Sequence, residues 1–249
     1  MLNVSLAAKR TRTVRRSRVA LFIFIGLLAL LCRAPLASAS EEDPFENFNR
    51  KIFAFNEFVD RWALKPVAQA YRWITPGFVD KGISNVFDNL GEIRNLVNAG
   101  FQGDVAQLAV ACGRFLVNST AGIGGLIDVA SRLELPQRDE DFGQTMGRWG
   151  VGSGPYLVLP LLGSSSARDV VALVPDFYLA PINYLDDESA RHTLRALEII
   201  DLRADLLDAE GLITGDRYTF IREVYLQQRR TDISNGELQD DFDSFEDDF

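Results

Sequence analysis

Residues 147–169 read GRWGVGSGPYLVLPLLGSSSARD, a cluster of four glycines in eight residues followed by a run of large apolar side chains. A glycine-rich loop is typical of phosphate binding at the start of a helix, whereas an exposed apolar run is typical of a contact with lipid or another chain. The two interpretations predict different folds, because a dinucleotide-binding loop connects a strand to a helix in an α/β sheet.

The glycine spacing argues against the phosphate interpretation. A P-loop needs G-x-x-x-x-G-K-[ST] with a lysine to meet the phosphate charge, and this stretch contains no lysine. Gly150, Gly152 and Gly154 give G-x-G-x-G followed by Pro155, and not the G-x-G-x-x-G that opens a helix. We therefore interpret these three glycines as hinge positions beside an apolar segment.

The rest of the chain from residue 43 has the apolar spacing of amphipathic helices. Asp43 is a predicted N-cap for the first helix, and Pro66 is predicted to end or kink it. Gly100 is a predicted terminator of the next helix, and Asp104 caps the one that follows. No strand alternation of useful length is visible, so the predicted fold class is all-α.

The first predicted helix carries an unusually wide aromatic stripe. Such a stripe fits a core-facing helix, and it also fits a helix that lies at a lipid interface. The candidates for embedding in a membrane are Phe48, Phe53, Phe55, Phe58 and Trp62.

Two apolar segments with glycines form candidate walls of a passage for acyl chains. Residues 120–135 are predicted to form an apolar hairpin hinged at Gly122, Gly124 and Gly125. The candidate lining residues of this first wall are Ile123, Leu126, Ile127, Val129 and Leu133. Those of the second wall are Tyr156, Leu157, Val158 and Leu159.

The N-terminus has the order of a secretory signal peptide. A basic segment precedes a 14-residue apolar run and the small-residue motif Ala37-x-Ala39, which predicts a signal peptide over residues 1–39. Cys32 is a candidate lipidation site, but a lipobox needs a small residue before the cysteine and Leu31 stands there. The sequence favours export with cleavage after Ala39.

The exported chain is strongly acidic. The full sequence has 26 Lys and Arg against 35 Asp and Glu, and seven of the basic residues lie in residues 1–39, which leaves a net charge of −16. This charge disfavours nucleic acid and requires any membrane contact to be apolar. We predict a helical domain over residues 40–236 and an acidic disordered tail over residues 237–249, which is either solubilising or a docking segment for a basic partner.

Catalytic and metal-binding patterns are weak. His192 is the single histidine, Ser164, Ser165 and Ser166 lack a nucleophile-elbow context, and one His with one Cys supplies no metal site. Asp128 is more readily explained by a hydrogen-bonded structural role than by acid–base catalysis. No cofactor is expected.

Several segments together resemble the MlaA (VacJ) family. They are DPFENFNRKIFAFN, NLVNAGFQGD, RFLVNSTAGIGGLIDVA, FGQTMGRWGVGSGPYLVLPLLGSSSARD and LLDAEGLI through REVYLQQR, in order over residues 43–236. The resemblance implies a compact, ring-like helical bundle with a central amphipathic channel, embedded on the periplasmic side of the outer membrane. It also implies a position beside trimeric porins, and transfer of mislocalised outer-leaflet phospholipid to a periplasmic carrier, MlaC. The family is usually lipidated, which the sequence before Cys32 does not favour.

The function expected from this resemblance is a non-enzymatic component of phospholipid transport. Two alternatives remain open on the sequence: a phospholipid hydrolase that uses Ser166 and His192, and a structural module that only stabilises porins.

Overall fold

The structure is a computed structural model that describes residues 43–213 and 215–235. Within these residues the fold is mostly helical, as predicted, and it also contains one short β-hairpin. The predicted signal peptide, Cys32 and the acidic tail lie outside the described residues. The helices are α1 (Glu46–Val59), α2 (Lys65–Ile74), α3 (Gly77–Gln102), α4 (Val105–Thr120), α5 (Phe142–Arg148), α6 (Ala167–Leu179), α7 (Glu188–Asp205) and α8 (Arg217–Ile233).

Short irregular helices join some of these elements. A π-helical turn, Asp60–Leu64, connects α1 to α2, and 3₁₀ turns lie at Ser131–Leu133, Pro181–Tyr184 and Ala209–Leu212. The long helices α3 and α4 pack along each other, and α7 packs on α2.

The predicted cap of the first helix is wrong, and the predicted end at Pro66 is not seen. Asp43 does not cap α1, whose N-cap position is Phe45 without a side-chain hydrogen bond. The Asp43 carboxylate instead accepts hydrogen bonds from Asn49 Nδ2 at 2.7 Å and from the Tyr218 hydroxyl. Of the two effects predicted for Pro66, the end of the helix is not seen, because α1 continues through the π-helical turn Asp60–Leu64 into α2 with Pro66 in its first turn. The predicted kink stays a prediction.

The ends of α3 and α4 are also clear in the structure. Helix α3 runs past Gly100 to Gln102 and ends at Gly103, which adopts φ 74° in the left-handed region. Asp104 caps α4 as predicted, because its carboxylate accepts a hydrogen bond from the Gln107 N–H at 2.9 Å. The glycine that terminates α3 is therefore three residues later than predicted.

The apolar run after the glycine cluster forms a β-hairpin, so the prediction that no strand is present here is wrong. Strand β1 (Tyr156–Leu159) pairs antiparallel with β2 (Gly163–Ser166), and Tyr156 lies opposite Ser166. Four residues of alternating burial are too few to produce a convincing strand pattern.

Helix α1 holds this hairpin through two asparagines spaced by two helical turns. Asn49 accepts from the Val158 N–H at 3.0 Å and donates to the Tyr156 carbonyl at 3.0 Å. Asn56 accepts from the Leu161 N–H at 2.8 Å and donates to the Leu159 carbonyl at 2.9 Å. The two amides therefore satisfy backbone groups along β1 and just beyond it as a neighbouring strand would.

Buried apolar packing is concentrated between the hairpin, α1 and α8. Its centre is Tyr156, Val158 and Tyr218, at most 3% exposed, and Ile52, Phe53, Tyr225 and Leu226 pack against it. The Tyr156 ring lies 6.3 Å from Tyr218 and 5.8 Å from Tyr225 between ring centres.

Elsewhere, large polar side chains are buried and large apolar ones are exposed. Arg114 and Glu92 are each 1% exposed, whereas Trp73 is 87% exposed and Phe78 is 80% exposed. This distribution is the reverse of the usual one for a water-soluble domain. In the part of the chain that the structure describes, no helix has the length and apolarity needed to cross a bilayer.

Candidate functional site

The segment after α4, residues 121–135, has an unusual backbone conformation. Ile123, Gly124 and Gly125 adopt φ values of 55°, 69° and 95°, three consecutive residues in the left-handed region. Glycine adopts this region freely, whereas a β-branched residue such as Ile123 is strained there. The side chain of Ile123 is 66% exposed, so burial of the side chain does not compensate for this strain.

Two of the glycines are required by close approach of neighbouring atoms. A Cβ on Gly122 would lie 2.2 Å from the Ile127 carbonyl oxygen, and one on Gly125 would lie 2.8 Å from Asn89 Cβ. Gly124 has open space around it. The segment thus packs closely on α4 at Gly122 and on α3 at Gly125. The role of these glycines as hinges stays a prediction.

Asn118 fixes one part of this segment. Its Oδ1 accepts from the N–H groups of Val129 and Ala130, each at 2.9 Å, and its Nδ2 donates to Asp128 at 3.0 Å. Asp128 also accepts from the Ser131 N–H at 3.0 Å. The aspartate therefore has the structural role expected for it.

Asp128 is held in its ionised form. Burial would raise the pKa of its carboxyl group, but hydrogen bonds from Ser131 and Asn118 and the charge of Arg114 lower that pKa to about 2. The carboxylate is thus already partnered inside the protein.

Arg114 connects the segment to the protein interior. Its guanidinium is paired with Glu92 at 2.5 Å, and both side chains are almost fully buried. The same group donates to the Leu135 carbonyl at 2.7 Å and to the Ser131 hydroxyl at 3.1 Å. One buried cation therefore ties α3, α4 and the segment together.

A groove of about 420 Å³ lies between this segment and the first two turns of α3. Leu126 packs on α3 beside Gly82, and Asn85 Nδ2 donates to the Leu126 carbonyl at 3.0 Å. We name it the α3 groove. Its lining residues are Phe78, Lys81, Gly82, Asn85, Leu126, Ile127, Asp128, Ser131 and Arg132.

The structure brings together only part of the first predicted wall. Leu126 and Ile127 line the α3 groove and are 50% and 39% exposed. Ile123 and Leu133 are exposed on the same segment, and Val129 is half-buried. These last three are not among the lining residues of the groove.

The second predicted wall divides between core and surface. Tyr156 and Val158 are core side chains at 1% and 3% exposure, so they do not form an exposed apolar wall, whereas Leu157 and Leu159 are half-buried. Gly150 and Gly154 adopt φ values of 87° and 65°, the first in the turn after α5 and the second just before β1, and Gly152 lies between them in open space.

The predicted membrane-embedding stripe is exposed at four of its five positions. Phe48, Phe55, Phe58 and Trp62 are exposed, and the last two are 62% and 72% exposed. Phe53 instead packs against Tyr218, with ring centres 5.5 Å apart, and belongs to the core. Exposed apolar side chains continue through Trp73 and Ile74 to Phe78 at the α3 groove.

The residues considered for hydrolysis have other roles in the described structure. The Ser166 hydroxyl is buried and caps α6 by accepting from the Asp169 N–H at 3.2 Å. His192 is exposed on α7 and lies 3.5 Å from Glu188.

Sequence reasoning missed the α3 side of the groove. Phe78, Lys81, Gly82 and Asn85 follow a helical i, i+3, i+4, i+7 spacing, which is a signal, but this face mixes apolar, charged and amide residues. Arg132 is separated from Lys81 by the whole of α4, so only the fold places them in one groove.

Comparison with known proteins places this architecture in a family. The family model described as MlaA lipoprotein matches residues 41–232. The Escherichia coli intermembrane phospholipid transport system lipoprotein MlaA is 38% identical over 79% of this chain and 80% of its own length. The Haemophilus influenzae protein of that name is 29% identical over 84% of this chain and 86% of its own length.

A solved structure agrees with this assignment. It is described as the structural basis for maintenance of bacterial outer membrane lipid asymmetry, and it matches with a TM-score of 0.68 at 38% identity. The match covers 77% of this chain and 98% of the solved chain. The resemblance seen in the sequence is thereby confirmed, and the chain belongs to the MlaA lipoprotein family.

Proposed function

We propose that the protein is a non-enzymatic component of intermembrane phospholipid transport at the outer membrane. It removes mislocalised phospholipid from the outer leaflet through an amphipathic channel and passes it to a periplasmic carrier of the MlaC kind. The single observation that carries this proposal is the exposure of large apolar side chains around a fold whose interior is largely polar.

The exposed aromatic surface supports contact with a bilayer. Phe58, Trp62, Trp73 and Phe78 are all more than 60% exposed, on or between α1 and the start of α3. Water would have to solvate this surface in a soluble protein, whereas lipid tails solvate it at no cost. Because the exported chain is acidic, apolar burial and not attraction to anionic headgroups would hold it in the membrane.

Lipid transfer needs an apolar path for the acyl chains, and the α3 groove can form the start of one. Moving acyl chains through water costs about 0.8 kcal/mol per CH₂, so a lipid with roughly thirty CH₂ groups faces about 24 kcal/mol without an apolar path. Leu126, Ile127 and Phe78 supply apolar surface at the groove, while backbone glycines keep the segment close to α3. In this proposal the groove is one part of the ring and channel that the family resemblance implies.

The proposed partners are a trimeric outer-membrane porin and the periplasmic carrier. The relatives are named as lipoproteins of a phospholipid transport system, which supports association with the outer membrane. For this chain we propose export through residues 1–39 and anchoring by the exposed aromatic surface, with or without a lipid on Cys32.

The test is the phospholipid content of the outer leaflet, measured by digestion of intact cells with an added phospholipase. A strain that lacks the protein is expected to accumulate outer-leaflet phospholipid, and the natural chain to restore the low level. Leu126→Asp with Ile127→Asp is expected to fail to restore it, because two carboxylates in the groove oppose passage of acyl chains. The matched control is Val224→Asp, an exposed apolar position on α8 outside the groove, which is expected to restore it.

The outcomes separate the proposal from its alternatives. Normal outer-leaflet content in the deletion strain would contradict lipid transport. Failure of the groove variant with porin association intact would exclude a purely structural module, and full function of His192→Ala would exclude a hydrolase that depends on this histidine.

A further inference from the structure

Two cations of the α3 groove have no partner among the described residues, in a chain with an acidic net charge. Lys81 and Arg132 both line the groove and are exposed. Among the described residues, most arginines and lysines pair with a carboxylate, but no side-chain hydrogen bond or ion pair joins Lys81 or Arg132 to another residue. Their charges are therefore free to meet an anion that enters the groove.

The one carboxylate of the groove does not neutralise this pair. Asp128 lines the groove, but its oxygens accept hydrogen bonds from Asn118 and Ser131, and Arg114 adds a charge contact at 3.4 Å. These contacts stabilise its negative charge from the protein side, but Arg114 also pairs with Glu92, so Lys81, Arg132 and Asp128 together leave the groove with one net positive charge. The solvent-facing side of the groove, with Lys81 and Arg132, therefore keeps a positive charge.

The same groove has an apolar wall beside the cations. Phe78, Leu126 and Ile127 are exposed at 80%, 50% and 39%, and Phe78 connects the groove to the exposed aromatic surface of α1 and α2. A volume of about 420 Å³ lies within the range of small-molecule sites, about 300–1,000 Å³. This volume fits a headgroup beside the cations, with the acyl chains against Phe78, Leu126 and Ile127 and the apolar surface beyond them.

From this arrangement we infer that Lys81 and Arg132 bind the headgroup phosphate of a phospholipid and make the groove select anionic lipids over zwitterionic ones. The inference rests on the proposed function and adds the class of lipid. An anionic lipid such as phosphatidylglycerol brings one net negative charge to two cations. Phosphatidylethanolamine brings an ammonium as well, which the same cations repel.

The test uses the full chain purified from membranes in detergent, with phosphatidylglycerol and phosphatidylethanolamine of identical acyl chains in equal amounts. Native mass spectrometry gives the ratio of the two bound lipids. The natural chain is expected to favour phosphatidylglycerol about threefold, the size expected for exposed ion pairs. Lys81→Gln with Arg132→Gln is expected to bring the ratio to about one, since exposed substitutions leave the fold intact.

Two controls isolate the effect of these cations. Lys51→Gln with Arg61→Gln removes the same charge from two exposed positions on the α1 side and is expected to keep the preference. Lys81→Arg with Arg132→Lys exchanges the cations and is also expected to keep it, because charge and not residue identity makes the selection.

Each other outcome overturns the inference in a distinguishable way. Equal binding of both lipids by the natural chain, or an unchanged ratio in the double Gln variant, would overturn the selectivity and leave lipid transport standing. Displacement of the lipid by millimolar inorganic phosphate would assign the cations to a soluble anion. Absence of any bound lipid would contradict both the selectivity and the groove's place in the proposed function.

Discussion

The two glycine-rich apolar segments of this protein have similar compositions and opposite environments. In the first, Leu126 and Ile127 face a groove, and Ile123 is 66% exposed. In the second, Tyr156 and Val158 are almost completely buried. Apolar content alone therefore does not say whether a glycine-rich segment joins the core or forms a surface.

The difference lies in what satisfies the backbone. The second segment pairs with the serine strand β2 on one side and with the amides of Asn49 and Asn56 on the other, so its alternate side chains turn into the core. The first is held by turns and by Asn118, with three successive residues at positive φ. Apart from the buried Ala130 and the half-buried Val129, its apolar side chains between residues 123 and 133 stay exposed.

The largest expected effect comes from removing the cation that anchors the first segment. Arg114→Met leaves Glu92 buried without its partner, and breaking a buried ion pair costs about 3–5 kcal/mol. Burial raises the pKa of Glu92, and Arg114 opposes that rise. Without Arg114, Glu92 takes up a proton more readily, so the loss of stability relative to the natural chain should be smaller at low pH than at neutral pH.

Thermal unfolding in detergent across pH measures both effects. Arg114→Met with Glu92→Leu is the control, because removing both charges is expected to recover most of the stability. If Arg114→Met alone unfolded at the temperature of the natural chain, the segment would not depend on this anchor.

The second expected effect contrasts the two segments directly. Tyr156→Ala removes a ring packed against Tyr218 and Tyr225 and is expected to cost about 3 kcal/mol. Leu126→Ala removes an exposed side chain and is expected to change stability by less than about 0.5 kcal/mol. Denaturant unfolding of the two variants measures the difference, and equal costs would show that Leu126 is packed in the protein as Tyr156 is.

The sequence alone predicted the helices better than it predicted the hairpin. Helical spacing identified most helices, the Asp104 cap and the exposed aromatic stripe, because these depend on neighbours within a turn or two. The hairpin escaped prediction because β2 reads GSSS, without apolar alternation, and the hydrogen bonds that hold β1 come from Asn49, 107 residues earlier. Pairing at that separation leaves no periodic signal.

The α3 groove could be predicted only in part for the same reason. Leu126 and Ile127 were identified as apolar residues beside glycines, which is a local signal. The pairing of Lys81 with Arg132 gave none, since each is an ordinary surface cation until α3 and the segment pack together. The chemistry of the groove is thus a tertiary property.

The third expected effect compares one glycine from each segment. Gly125 and Gly150 have φ values of 95° and 87°, so alanine is strained at both by about 1 kcal/mol. Only at Gly125 would the added Cβ meet Asn89, at 2.8 Å, whereas Gly150 has nothing within 4 Å. Gly125→Ala is therefore expected to lower stability by about 1 kcal/mol more than Gly150→Ala in denaturant unfolding. Equal losses would mean that the first segment moves away from α3 without cost.

The smallest expected effect concerns the strained residue at the tip of the first segment. Ile123→Asn is expected to stabilise the protein by about 1 kcal/mol, because asparagine tolerates the left-handed region that Ile123 occupies at φ 55°. For a protein of this size, the midpoint of thermal unfolding should rise by about 2–4 °C. Ile123→Val keeps the β-branch and hence the strain, so it should unfold at the natural temperature.

The lipid-transfer readout of the same variants decides why the strain is tolerated. If Ile123 touches acyl chains, the stabilised Ile123→Asn protein should restore outer-leaflet lipid asymmetry poorly, and Ile123→Val should restore it well. Full function in the asparagine variant would show that an apolar side chain at this position is dispensable. The turns of the first segment would then have only a structural role, as those of the hairpin do. The difference between the two segments would rest on Leu126 and Ile127 alone.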